Sequence, residues 1–152
     1  MWKGLLLLGI VALVTVLGSG QTAAAAVSCH GISATGVGQD LGNGNTTAQI
    51  SDGGVLQGTT VGSFVVTDSS DFPVLAIAGT VTFTTNKGTL TVSVAGTLNV
   101  STGDFTASGP VSAATGKLTG ATGSLTLAGN ENLITGVFTE TITGNICVDL
   151  SK

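Results

Sequence analysis

Apolar side chains are spaced in two different ways along this chain. Between Leu5 and Leu17 they form a single run, LLLLGIVALVTVL, and after about residue 45 they alternate with Thr, Ser and Gly at every second position. Nothing after that first run repeats at the helical period, so the alternation predicts an almost entirely β domain. Leu75, Ile77, Gly79, Val81 and Phe83 share one face, and Ala76, Ala78, Thr80, Thr82 and Thr84 the other. After the turn Asn86-Lys87-Gly88, Leu90, Val92, Val94, Gly96, Leu98 and Val100 repeat the pattern. A second turn at Ser101–Asp104, where Gly103 can take positive φ, leads to Phe105 and Ala107, so these three segments form an antiparallel meander. Further strands are expected at Thr47–Ile50, Thr59–Thr67, Val111–Ala114, Thr122–Ala128 and Val137–Leu150, about eight in all.

Each expected strand has one apolar face and one Thr/Ser face. Closure into a small eight-stranded antiparallel barrel buries the first and removes free sheet edges, and a two-sheet sandwich is the alternative. Gly79 and Gly96, in mid-strand on the apolar face, permit the coiling that a barrel needs and favour closure. An outer-membrane barrel would turn its apolar side to lipid between girdles of Trp and Tyr, and neither residue occurs after position 2.

Lys3, the apolar run and the small residues up to Ala24-Ala25-Ala26 read as a secretory signal peptide over residues 1–26. Residues 27–152 are then one exported β-barrel domain, extracellular or periplasmic, with no expected membrane association once the signal is removed. A retained N-terminal anchor is the alternative, opposed by Ser19, Gln21 and Thr22. The domain would hold three lysines, no arginine and eight carboxylates, a formal charge of −5, and the five phenylalanines would supply all its core aromatics. So acidic a chain lacks the basic face that nucleic acid requires.

Cys29 and Cys147 are the only cysteines. In an exported protein such a pair is most simply a disulfide joining the chain's two ends. Closing a loop of roughly 117 residues stabilises by up to about 4–5 kcal/mol in the chain-entropy model. A lipid-anchored Cys29 is the competing reading; Ala26-Val27-Ser28 lacks the usual leucine and Cys147 would be left alone.

The segment GPVSAATGKLTGATGSLTLAG, Gly109–Gly129, invites comparison with a phosphate-binding loop. It fails, because Val111 stands where the first Gly belongs and Leu118 where Ser or Thr must follow Lys117, leaving Lys117 as a solvated turn residue. Thr115-Gly116-Lys117-Leu118-Thr119-Gly120-Ala121-Thr122-Gly123, with a later strand ending in Gly144-Asn145-Ile146-Cys147, resembles the glycine-rich GTG-x-F-x-G-A-x-G segment of allene oxide cyclase-like and dirigent-like β-barrels. Ala114 replaces the leading Gly and Leu118 the aromatic. The resemblance implies an eight-stranded antiparallel barrel with an apolar interior, and a tight connection at the segment itself. It transfers no site residue: the dirigent activity uses Arg and Tyr, which this domain lacks, and the cyclase carboxylate has no assigned counterpart here.

Few residues offer chemistry. His30, the only histidine, lies beside Cys29 without the partners that a triad or a zinc site requires, and no metal or cofactor is expected. Glu140 is the one candidate catalytic or cavity residue, because Phe138, Glu140, Ile142, Gly144, Ile146, Val148 and Leu150 share a face. An unbroken strand aims this carboxyl inward, where burial raises its pKa, whereas a bulge leaves it in water. Asp40, Asn43 and Asn45 are oxygen donors on a glycine-rich loop, but without calcium-loop spacing they suit an Asx-turn, as do Asp68 and Asp71 before Pro73. Asn45 and Asn99 begin glycosylation patterns. Thr80, Thr82 and Thr84, with Thr89 and Thr91 opposite, and Thr139, Thr141 and Thr143 form polar β-branched ladders.

The function expected from these residues is non-catalytic: an exported barrel holding a small apolar molecule in its interior. The alternatives are an isomerase or cyclase using an interior carboxylate, and a structural or ice-binding protein using the Thr faces.

Overall fold

A computed structural model describes residues 26–151. The expected signal peptide, Ala26 aside, lies outside the described residues. The strands are β1 (Ser28–Gly42), β2 (Asn45–Ser51), β3 (Gly58–Asp68), β4 (Val74–Thr85), β5 (Gly88–Asn99), β6 (Asp104–Ala114), β7 (Thr122–Glu131) and β8 (Val137–Val148). Every strand pairs antiparallel with its sequence neighbours, and β1 pairs with β8, so the sheet is a closed eight-stranded barrel and not a sandwich. Among the described residues no helix is long and apolar enough to cross a membrane.

The count of eight was expected, but its members differ. β1 was not among the expected strands, and Phe105–Ala107 and Val111–Ala114 are parts of one strand, β6. β1 escapes an alternation search because its inward positions after Ala34 are Gly36 and Gly38, while the apolar Val37 and Leu41 point outward. β6 is disguised by a register shift: Thr91 pairs with Ala113 and Val92 with Val111, leaving Ser112 as the extra residue. β8 ends at Val148, two residues short of the expected Leu150. Phe72, expected in the core, is 73% exposed, because it lies in the β3–β4 loop beyond the barrel wall.

Inside the barrel, the expected faces converge. Ile50, Phe83, Leu90, Val92, Ile142 and Ile146 are completely buried. The inward glycines sit where strands approach closely, since a Cβ added to Gly79 would stand 2.9 Å from the Cα of Phe64. Cys29 and Cys147 face one another in the β1–β8 register and are joined, so the disulfide fastens the seam that closes the barrel across 118 positions of sequence.

The two ends of the barrel are unlike. At one end, the β2–β3 and β6–β7 connections each contain a single 3-10 turn, Gly54–Leu56 and Gly116–Leu118. These turns place Leu56 and Leu118, both fully buried, in the core as a floor. The glycine-rich segment is thus a connection, as expected, with Gly116 and Gly120 at positive φ and Lys117 exposed. At the other end lie the β1–β2, β3–β4, β5–β6 and β7–β8 connections, and there the barrel is open.

Candidate ligand cavity

The mouth leads into a cavity of about 270 Å³ with mainly apolar walls. Phe105 and Phe138 meet edge to face in its wall, with ring centroids 5.8 Å apart and planes at 87°. Val81, Ala107 and Leu127 form deeper parts of the lining.

Glu140 stands in this apolar surface at 7% exposure, so the unbroken-strand alternative holds and no bulge turns the carboxyl outward. Its register partners on both sides are glycines, Gly36 of β1 and Gly129 of β7. A Cβ on Gly36 would stand 2.7 Å from both Cγ and Oε1 of Glu140, and one on Gly129 would stand 2.9 Å from its Cα. The two strands thereby leave a niche for the side chain. Among the described residues no side chain forms a hydrogen bond or an ion pair with the Glu140 carboxyl, which opens on the cavity. Burial raises its pKa to about 7.

Two more carboxyls line the cavity nearer the mouth. Glu131 pairs with Phe138 in the β7–β8 register, about 7 Å along β8 from Glu140 at about 3.4 Å per residue. Asp40 donates its backbone N–H to the Gly136 carbonyl one step further out. The Glu131 pKa is raised, first by burial, then by the neighbouring Asp40 carboxylate, which repels its charge and hydrogen-bonds to its side chain. Neither residue is expected in a cavity from the sequence alone. Extending the Leu125–Leu127 alternation past Ala128 would have placed Glu131 inside, and Asp40 follows Gly36 and Gly38 at the same period.

Asp40 apart, the remaining candidates fall outside the cavity. His30 is near the floor, its ring nitrogen 3.1 Å from the Ser28 hydroxyl. Asp40 makes the expected Asx-turn, its carboxylate accepting the Gly42 N–H at 2.8 Å, and Asn45 donates to the Gly42 and Asn43 carbonyls. Asp68 accepts from Ser70 in the same manner, which lowers its pKa. Among the described residues no group of three or more His, Cys, Asp or Glu side chains is disposed to hold a metal. The Thr ladders lie on the curved outer wall, where the Thr82 and Thr91 hydroxyls hydrogen-bond at 2.9 Å.

The chain matches no protein-family model, no curated protein and no solved structure.

Proposed function

We propose that this chain is an exported barrel that binds a small, mostly apolar molecule in its open-ended cavity, without chemical conversion. The observation that carries this reading is the cavity itself: pre-formed, floored at one end, accessible at the other and walled by aliphatic and phenyl groups. Burial of apolar surface in such a space drives association at about 25 cal/mol per Å² before the cost of immobilising the ligand. The volume lies just below the usual range of about 300–1,000 Å³, so it suits a compact molecule. Export rests on residues 1–26 and accords with the disulfide. The resemblance to allene oxide cyclase-like barrels accords with the closed strand order and adds no activity.

The test uses the neutral, environment-sensitive dye prodan. Wild-type protein is expected to enhance its emission, and Ala107→Trp, which fills the cavity, is expected to abolish the gain while keeping the fold. Equal enhancement by both proteins would remove the cavity from the account.

A second reading is supported by one specific observation. A carboxyl with a pKa near 7 in a water-poor site can take and return a proton, as an isomerase or cyclase requires. In that case Glu140→Gln eliminates turnover and leaves prodan binding unchanged. Loss of both would reduce Glu140 to a packing role.

A further inference from the structure

Resting on the binding reading above, we propose that the cavity selects an organic monocation: an apolar body bearing one ammonium-type group, whose charged end meets the Glu140 carboxylate. Glu140 is more than nine-tenths buried, has no partner among the described side chains and faces into the cavity from a niche cut by Gly36 and Gly129. Leaving a carboxylate in apolar surroundings without a counter-charge is costly, and the attraction of a bound cation offsets that cost.

The distribution of charge points the same way. The chain contains only two glutamates, and both line the cavity, joined by Asp40. The titratable groups facing the cavity are therefore Glu140 from β8, Glu131 from β7 and Asp40 from β1, and β2 to β6 add none. Asp68, Asp71 and Asp104 stand at the mouth end, whereas Lys87, Lys117 and His30 stand at the floor end together with Asp52 and Asp149. A cation approaching the mouth thus meets one sign of charge, which concentrates it there.

An inorganic cation fits poorly. Calcium needs about 6–8 oxygen ligands and magnesium near-octahedral oxygen, whereas the lining is mainly apolar, its other oxygen-bearing side chains being Thr46, Thr60, Asp40 and Glu131, and among the described residues no three acidic, His or Cys side chains are grouped to hold a metal. A carboxylate ligand would bring a second negative charge against the first. An alkylammonium, with a pKa like that of lysine at about 10.4, keeps its charge throughout the range in which Glu140 titrates.

The proposal is tested by calorimetric titration of the disulfide-intact domain with octylammonium, octanol and octanoate, three ligands of one chain length. At about pH 8.5 octylammonium is expected to bind at least about tenfold more tightly than octanol. Its affinity should fall toward that of octanol by about pH 5.5, a loss of up to about 30-fold, as protons occupy a carboxyl of pKa about 7. Glu140→Gln should bind octylammonium and octanol alike, and in wild-type protein octylammonium should lower the Glu140 pKa read by carbon NMR. Octanol binding as tightly as octylammonium at the higher pH would overturn the cation proposal and leave the apolar-cavity reading standing. Tighter octanoate binding at low pH would overturn it in favour of a shared-proton acid ligand. Failure of all three to bind, with no prodan enhancement, would sink both. The wild-type pH profile and NMR titration decide the matter even if Glu140→Gln does not fold.

Discussion

Between the ordinary glutamate range and neutrality, the folded chain keeps a proton on Glu140 that the unfolded chain has already released, because burial holds this pKa at about 7. Protons bound by the native state favour it, so this contribution to stability is present at acid pH and declines as pH rises from about 4.5 to about 7. The full loss is on the order of 3 kcal/mol. Urea unfolding across that window is expected to show wild-type stability falling, and Glu140→Gln showing a flatter profile with higher stability above neutrality. Asp68 and Asp104 act with the opposite sign: hydrogen bonds from Ser70, and from Thr102 and Asn130, lower their pKa values, so their small surface contributions fade as pH drops through the aspartate range. The parity of Glu140 was legible in β8 alone, but its burial was not. A bulged strand has the same sequence, and the register that decides the matter places it between Gly36 and Gly129, which lie 93 positions apart in the sequence.

At the scale of elements, the two 3-10 turns turn a tube into a cup. Leu118→Ala is expected to cost about 2–5 kcal/mol, since a fully buried side chain leaves a void in the floor, while the exposed neighbour Lys117→Ala stays close to wild type. Denaturant midpoints of the two variants check the contrast. Alternation alone located β2, β3, β4, β5, β7 and β8; large apolar residues mark the inward sides of most of these, whereas β3 turns Thr60, Gly62 and Phe64 inward. It did not locate β1, whose inward Gly36 and Gly38 have no side chain to count, and it divided β6 at Gly109-Pro110 and the extra residue Ser112. Leu118 stood out only as a departure from a glycine-rich pattern, and nothing local announces that a one-turn helix will drive it into the core.

For the molecule as a whole, closure was legible before the structure because aromatics are few, glycines many and one face of each strand apolar; which strands made up the eight was not. The seam is where the closed sheet depends on the ends of the chain, and the disulfide lies on it. Replacing both Cys29 and Cys147 by Ser is expected to lower stability by up to about 4–5 kcal/mol while leaving a β circular-dichroism spectrum, with thermal unfolding as the readout. Because Ser28 and Val148 are paired at the floor, anything joined to the domain through either terminus is attached behind the cup. On a bead or a fusion partner, every copy would hold its opening toward the surrounding liquid, and occupancy should match that of the free domain.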